Sequence, residues 1–150
     1  MKKSLQIVVV VSALLLSWKG QAQEKILIDT TAAAALSKDV TQMVFEDKAE
    51  QAFQLLSLYW PYNPQDIMEL SEKFISESEV VPQKFGPLLD FQKGPVYSLS
   101  NFRIKYIYYL RYQYFALRLI FEYQLADSGW ILGSFKYSDD LSEDYQKISG

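Results

Sequence analysis

Three tyrosines within one short segment are the first residues whose type and spacing suggest a binding site: Tyr106, Tyr108 and Tyr112. Even spacing sends side chains to the same face of a β-strand, so the three rings would line one surface with hydroxyls that can hydrogen bond to a ligand. Asp90 could add a carboxylate as an acid or base and complete a tyrosine–aspartate site. The alternative is that the tyrosines fill a core and that Asp90 is a surface residue at a strand edge.

The absence of two residue types limits the chemistry further. The chain contains no histidine and no cysteine, so it lacks the side chain that most often acts as a general base near neutral pH. It also cannot form Ser–His–Asp or Cys–His sites, and zinc and copper lose their usual ligands. We therefore predict no metal site, no cofactor and no catalytic residue of these classes, although carboxylate and tyrosine chemistry stays open.

Four acidic residues near the C-terminus form a second group of potential ligands: Asp139, Asp140, Glu143 and Asp144. Calcium binds carboxylate oxygens, but this group has neither the spacing nor the glycine of a calcium-binding loop. We therefore predict that residues 138–150 form a polar, acidic and frayed tail.

Basic residues are concentrated in one part of the second half of the chain. Five basic residues and no acidic residue lie between Phe91 and Phe121. Strand alternation places a set of basic, aromatic and apolar residues on the face opposite to the tyrosines: Arg103, Lys105, Ile107, Tyr109, Arg111 and Arg118. Arginine and tyrosine around an apolar centre are enriched at interfaces, so this face is predicted to bind a second copy of the chain or an acidic protein. The alternative is a solvated face whose charges prevent edge pairing.

Three helices come first among the elements that would position these residues. Apolar residues recur at helical spacing from Thr31 onward. Asp47 and Glu50 predict a capping box for a second helix. Asn63 followed by proline is a strong start signal for the third helix, which we expect to end before Pro82 because proline disfavours helical backbone at the residue before it.

After residue 86 the apolar period changes from helical to two, which predicts strands. We expect these strands over residues 88–93, 102–112, 117–123 and 130–137. The sequence Asp127–Ser128–Gly129 predicts a hairpin turn, whereas residues 113–115 lack glycine, asparagine and proline and leave that connection poorly defined. Helices followed by strands predict an α+β fold, with three N-terminal helices packed on a curved antiparallel sheet of about four strands.

The N-terminus has the three-part layout of a secretory signal. Lys2 and Lys3 precede an apolar run over residues 7–16, and Gly20 and Ala22 are small residues before a cleavage position. This run is shorter than the roughly 20 residues of a membrane span. We predict a signal peptide over residues 1–22 and export to the periplasm or the medium. The expected product, residues 23–150, is a single domain with a short N-terminal arm and no membrane span.

The charge of the expected mature chain is mildly acidic. Removal of residues 1–22 would leave 12 basic and 18 acidic residues. Because nucleic-acid-binding domains are usually basic, we expect no nucleic-acid partner.

Several segments resemble a known family. The step at Phe85–Gly86, followed by YIYYLRY, ALRLIFEY and DSGWILGSFKYSDD, is similar to the second half of small secreted bacterial proteins with a nuclear transport factor 2-like, or cystatin-like, fold. The resemblance covers roughly residues 47–141 and departs from the family pattern at Leu119 and at residues 113–115. It implies a fold, an exported location, a cone-shaped cavity between helices and sheet, and dimerisation through the outer side of the sheet. It implies no reaction.

Three functional classes follow from these observations. The first is a non-catalytic binding or interaction module that acts through the basic strand face. The second is a small-ligand-binding protein that uses a cavity lined by the tyrosines. The third is an enzyme with a carboxylate and tyrosine site. The sequence Trp60–Pro61–Tyr62 could form a lip of a binding site, or simply pack where a helix ends.

Overall fold

In a computed structural model, which describes residues 25–146, three helices precede four strands. The helices are α1 (Thr30–Phe45), α2 (Ala49–Tyr59) and α3 (Pro64–Phe85), and the strands are β1 (Leu88–Leu99), β2 (Arg103–Tyr112), β3 (Ala116–Ala126) and β4 (Gly129–Ser138). This order confirms the predicted α+β class. The predicted signal peptide, residues 1–22, lies outside the described residues.

The four strands form one curved, open antiparallel sheet in the order β1-β2-β3-β4. Tyr108 lies opposite Leu119, and Tyr109 lies opposite Arg118. The even-numbered residues of β2 therefore point to the helices, and its odd-numbered residues point to the other side of the sheet. We call these the helix face and the outer face.

The first helix lies on the helix face of the sheet. It begins at a standard N-cap, because the side chain of Asp29 accepts a hydrogen bond of 2.8 Å from the backbone N–H of Ala32. The buried hydroxyls of Ser37 and Tyr123 are 2.8 Å apart, which joins α1 to β3. The hydroxyl of Tyr106 donates to the carbonyl of Thr30 at 2.9 Å, which joins α1 to β2.

Aromatic contacts join the other two helices to β4. Phe53 of α2 meets Phe135 edge-on, with ring centroids 5.6 Å apart. Phe74 of α3 meets Tyr137 edge-on at 4.9 Å. The start of α3 is as predicted, because the side chain of Asn63 accepts from the N–H of Gln65.

The predicted capping box at Asp47 and Glu50 is wrong. Helix α2 begins at Ala49, and Lys48 occupies the cap position without a side-chain hydrogen bond. Asp47 has a positive φ of 60°, and its N–H donates to the carbonyl of Val44. This left-handed conformation ends α1, as glycine or a short polar residue commonly does. Asp47 therefore belongs to the end of the first helix.

The prediction that α3 ends before Pro82 is also wrong, because the helix continues to Phe85. Only three helical residues follow Pro82. The backbone hydrogen bond that the proline cannot donate is therefore lost near the end of the helix and not in its middle. The N–H of Gly86 donates to the carbonyl of Pro82 at 3.0 Å and closes the end of the helix.

Strand β1 is longer than predicted and reaches Leu99 instead of Lys93. The register shifts between Lys93 and Val96, where Gly94 and Pro95 interrupt the pairing with β2. Proline lacks a backbone N–H, and an edge strand tolerates this loss because one of its sides is unpaired. The strand is therefore bent by the two residues and continues beyond them.

The connection between β2 and β3, which the sequence leaves poorly defined, is fixed by hydrogen bonds to backbone groups that are distant in the chain. The N–H of Tyr114 donates to the carbonyl of Phe85, and the N–H of Gln113 donates to the carbonyl of Pro87. The rings of Phe85 and Phe115 stack at 4.4 Å. Contacts with the end of α3 therefore define this turn in the absence of typical turn residues.

The N-terminal arm joins the sheet at the start of β4. Leu27 and Trp130 exchange two backbone hydrogen bonds of 2.8 Å, and Leu27 is buried in the core. In the part of the chain that is described, no helix is long and apolar enough to span a membrane.

Candidate functional site

A cleft on the helix face opens between the second half of α3 and the end of the sheet. It has a volume of 690 Å³, within the usual range for small-molecule sites. Helix α3 touches the sheet through Phe74 and Tyr137 at one end of this cleft and through Phe85 and Phe115 at the other. Phe74 and Phe85 are about 16 Å apart along the helix axis. The two aromatic contacts thus frame an elongated opening.

Aromatic and aliphatic side chains form the inner surface of the cleft: Phe74, Val81, Phe85, Tyr112, Phe115, Leu117 and Tyr137. Tyr112 is the candidate tyrosine that lies here, and burial raises the pKa of its hydroxyl. That hydroxyl has no hydrogen-bond partner among residues 25–146, yet it is not one of the fully enclosed polar atoms. It is therefore free to meet a ligand or water in the cleft.

Charged groups stand at the rim of the cleft. Glu77 accepts a hydrogen bond of 2.8 Å from the hydroxyl of Tyr137, and burial together with this carboxylate raises the pKa of Tyr137. The ammonium of Lys84 lies 5.1 Å from the centre of the Phe85 ring. Asp139 completes the rim, and all three charged residues are exposed.

The other two candidate tyrosines do not line this cleft. Tyr106 is bonded to the carbonyl of Thr30, and Tyr108 is buried with its ring near Phe91 and Phe121. Both therefore belong to the core beneath α1, and burial raises their pKa values.

Asp90 lies on the opposite side of the sheet from the tyrosines. It forms an ion pair with Arg111 on the outer face, and this arginine holds the pKa of Asp90 below its usual value. The structure therefore does not bring Asp90 together with Tyr106, Tyr108 or Tyr112 in one site.

The six residues of the proposed interaction face share the outer face, as alternation requires: Arg103, Lys105, Ile107, Tyr109, Arg111 and Arg118. Their positive charges, however, are paired within the chain. Glu122 lies 2.9 Å from Arg103 and 3.6 Å from Lys105. Two acidic partners, Asp90 and Glu122, directly flank the basic segment, and the third, Asp144, lies near the C-terminus. A count of charges within the segment therefore does not reveal them.

The predicted frayed tail instead folds onto the outer face. The carboxylate of Asp144 lies 2.9 Å from Nη1 of Arg118, and its side chain is only 8% exposed. Burial, followed by the proximity of Asp144, raises the pKa of Tyr109 to about 12. The prediction of a frayed tail is therefore wrong at Asp144, where an ion pair with the sheet replaces solvent, whereas Asp139, Asp140 and Glu143 are exposed.

The acidic residues of the tail are not arranged around a cation. Asp144 pairs with Arg118, while Asp140 accepts from the backbone N–H of Ser142. Over residues 25–146, no group of three or more acidic residues lies together in a way that could hold a metal ion.

The segment Trp60–Pro61–Tyr62 packs at the exit of α2. The rings of Trp60 and Tyr62 meet edge-on at 5.3 Å, and the hydroxyl of Tyr62 donates to the carbonyl of Gly133. Neither aromatic residue lines the cleft, so this segment does not form its lip.

Several cleft residues were not singled out from the sequence. Glu77 and Lys84 lie seven positions apart on α3, a spacing that places them on one helix face. The expected end of the helix before Pro82 separated Lys84 from that face. Phe115 was assigned to an undefined connection, so its contact with Phe85 was not predicted.

Comparison of the chain with protein-family models, with curated proteins and with solved structures finds no match.

Proposed function

We propose that this protein binds a small, mainly apolar molecule in the cleft between α3 and the sheet. The observation that carries this proposal is the 690 Å³ opening whose inner surface is aromatic and aliphatic. Such a site buries the apolar body of a ligand and leaves a few polar groups to orient it. The free hydroxyl of Tyr112 inside the cleft and the charges of Glu77 and Lys84 at its rim supply those polar groups.

A binding role has better support than an enzymatic one. Catalytic acids and bases usually have pKa values shifted by burial or by close charges. The two carboxylates that line the cleft, Glu77 and Asp139, are exposed. The tyrosine–aspartate pair considered from the sequence is divided between the two faces of the sheet.

The proposal includes export of the mature domain. The layout of residues 1–22, with its basic start, apolar run and small residues, supports this location. The resemblance to secreted proteins with a nuclear transport factor 2-like fold agrees with the proposed location and with a ligand in the cleft.

The cleft can be tested by filling it. The mature protein would be titrated with 11-(dansylamino)undecanoic acid, an apolar fluorescent probe, and compared with Val81→Trp. Val81 lines the cleft, so the added indole should occupy ligand space and weaken binding by about tenfold or more. Met68→Trp is the matched control, because Met68 is an exposed residue of the same helix outside the cleft. Equal affinity in all three proteins, or no saturable binding to the wild type, would contradict the proposal.

A homodimer formed through the outer face is the second candidate function. Tyr97 and Leu99 of β1 are exposed on this face, Leu99 to 59%, and they lie beside Lys105 and Arg103 in the register. Tyrosine, arginine and an apolar residue are a composition typical of interface centres. This candidate uses only the part of the face that the tail leaves open.

Sedimentation velocity over a range of concentrations tests the dimer. Leu99→Glu should abolish association by placing a charge in the interface. Leu58→Glu makes the same change at an exposed position of α2 and should not affect it. A wild-type protein that stays monomeric at all concentrations removes this candidate.

A further inference from the structure

The end of the outer face that carries Tyr109 and Arg118 already holds a peptide, which is the chain's own tail. Between the end of β4 and Asp144 the backbone forms compact local turns. The N–H of Asp140 donates to Oγ of Ser138, and the N–H of Asp144 donates to the carbonyl of Leu141. This short segment presents one carboxylate to Arg118, which is only 14% exposed. The contact between Asp144 and Arg118 therefore shows that this site binds a carboxylate presented by a short peptide segment.

The tail does not use the full binding capacity of Arg118. Both contacts come from a single nitrogen, Nη1, which lies 2.9 Å and 3.0 Å from the two oxygens of Asp144. The Nε of the same guanidinium is buried and has no partner among the described residues. The strongest arginine–carboxylate geometry instead uses two guanidinium nitrogens in parallel. A buried donor thus remains unsatisfied while the tail is bound.

A further positive charge lies close to this end of the face. Lys136 of β4 is opposite Ile120, while Arg118 of β3 is opposite Ser138, so the two basic residues lie two positions apart along the same face. Lys136 is exposed and forms no ion pair within residues 25–146. The described part of the tail, residues 139–146, places no acidic partner on this charge.

We infer that Arg118, Tyr109 and Lys136 form an acceptor site for an acidic peptide segment of another protein, and that residues 139–146 are an internal competitor for it. This inference goes beyond both candidate functions above. The preferred segment carries an Asp or Glu that pairs with Arg118 and a second acidic residue that reaches Lys136. An apolar residue three positions before the first acid would copy the spacing of Leu141 and Asp144.

A second copy of the chain is a less favourable occupant. It would offer the same tail that each copy already binds internally, so exchange of tails would gain no new contact. A different acidic segment can gain the unused Nε of Arg118 and the free charge of Lys136. Release of the tail breaks the local turns of residues 138–144, the ion pair with Arg118 and the approach of Asp144 to Tyr109, while the backbone hydrogen bonds of the helices and the sheet do not involve the tail.

The test uses the full mature chain and a fluorescein-labelled synthetic peptide with the sequence of residues 139–146. Asp144→Asn in the protein should weaken the internal tail, so the labelled peptide should bind this variant at least about tenfold more tightly than it binds the wild type. Adding Arg118→Gln to Asp144→Asn should abolish binding. Glu143→Gln is the matched control, because Glu143 is exposed and does not contact Arg118; it should bind like the wild type. A labelled peptide with Asn in place of its own Asp144 should not bind.

Equal peptide affinity in the wild type and in Asp144→Asn, or binding that survives Arg118→Gln, would overturn the inference. Hydrogen exchange of the wild-type protein gives an independent check that needs no variant. The amide of Asp144 should exchange much faster than the amides of β3, because the tail opens locally. Exchange of this amide only through global unfolding would show that the tail is never released. A concentration-dependent dimer that is lost in Asp144→Asn would identify a second copy as the occupant and would also overturn the inference.

Discussion

Among single side chains, the buried hydroxyl pair of Ser37 and Tyr123 gives a sharp test of the core. Ser37 donates to the carbonyl of Ala33 at 3.0 Å, so Tyr123 is the donor in the contact between the two hydroxyls. Ser37→Ala leaves the hydroxyl of Tyr123 buried without an acceptor and should cost about 1–3 kcal/mol of stability.

Tyr123→Phe should cost less than Ser37→Ala, because Ser37 keeps its bond to Ala33. The double variant should be more stable than Ser37→Ala alone, since it removes the unsatisfied donor. Chemical denaturation of the four proteins measures these differences. Equal losses for the two single variants would contradict the assigned direction of the hydrogen bond.

Tyr109 should give the protein a distinct response to alkaline pH. Burial and Asp144 raise its pKa from about 10 to about 12, so the folded state favours the neutral hydroxyl. The resulting stabilisation is fully present below pH 10 and is lost as the pH rises towards 12. The difference in tyrosinate absorbance between the wild type and Tyr109→Phe, followed with circular dichroism, should show a step near pH 12, because the subtraction removes the other buried tyrosines. In Asp144→Asn that step should move to lower pH. A Tyr109 step near pH 10 in the wild type would contradict the covered position of this residue.

The sequence predicted the faces of single residues better than their partners. Alternation placed Tyr106 and Arg103 on opposite faces because the period of a strand fixes side-chain direction. It contained no information on which tyrosine would lie beneath α1 and which would reach a cleft. That division depends on where the helices cross the sheet, and this position is decided by packing between elements that are distant in the chain.

Among the elements, the junction between α3 and the β2–β3 turn should depend strongly on Gly86. This residue has a φ of 81°, and a Cβ added there would lie 2.8 Å from Cβ of Gln113. Gly86→Ala should therefore destabilise the protein by about 1–3 kcal/mol through backbone strain and this clash. Thermal unfolding measures the effect.

Gly133 provides the matched control for this substitution. A Cβ at Gly133 would meet only the carbonyl of Glu122 at 3.6 Å, an ordinary contact. Gly133→Ala should therefore change stability much less than Gly86→Ala. If both substitutions have the same effect, the junction does not impose the strain described.

The class and order of the elements could be predicted from the sequence, whereas several of their ends could not. Helical and strand periods extend over many residues, so their signals accumulate along α1 and β2. The expected end of α3 before Pro82 rests on the backbone preference of the residue before a proline, and the first strand is expected to end at Lys93, just before Gly94 and Pro95. In the structure Pro82 lies near a helix end and Pro95 in an edge strand, where the missing N–H donor costs little. Such tolerance depends on tertiary position, which a local sequence pattern does not contain.

For the whole molecule, the most direct prediction is cleavage of the N-terminal signal peptide. The small residues Gly20 and Ala22 place the expected cleavage before Gln23. Intact mass spectrometry of protein recovered from the envelope or the medium should therefore give the mass of residues 23–150. Exported protein that retains Met1 would contradict a cleaved signal. Ala22→Asp should slow cleavage, because a charged residue then occupies a position that requires a small one.

The sequence predicts a binding site from the even spacing of the tyrosines, and the family resemblance adds the expectation of a cavity between helices and sheet. Tyr112 was identified among its lining residues, while the contribution of α3 was not. The cleft exists because α3 touches the sheet at two separated aromatic contacts, Phe74–Tyr137 and Phe85–Phe115. Each contact joins residues of a helix to residues in a strand or turn far along the chain. A pattern of apolar positions predicts that such rings are buried but does not predict which rings meet.

The connections of α1 also have a consequence for the order in which the chain folds during synthesis. Each strand pairs with its neighbour in sequence, so hairpins can form as they emerge. Helix α1 is synthesised before the other helices and the strands. The hydrogen bond of its Ser37 can form only after Tyr123 has been made, and the N-terminal arm can pair with β4 only after Trp130 has been made. Until those residues appear, α1 packs on α2 and on Tyr106 of β2 but lacks its contacts with β3 and β4, so part of its apolar surface stays open to chaperones. A nascent chain arrested at Ile120, before Tyr123 and Trp130 are made, should therefore be cleaved by protease within α1, whereas the released full-length chain should resist cleavage there.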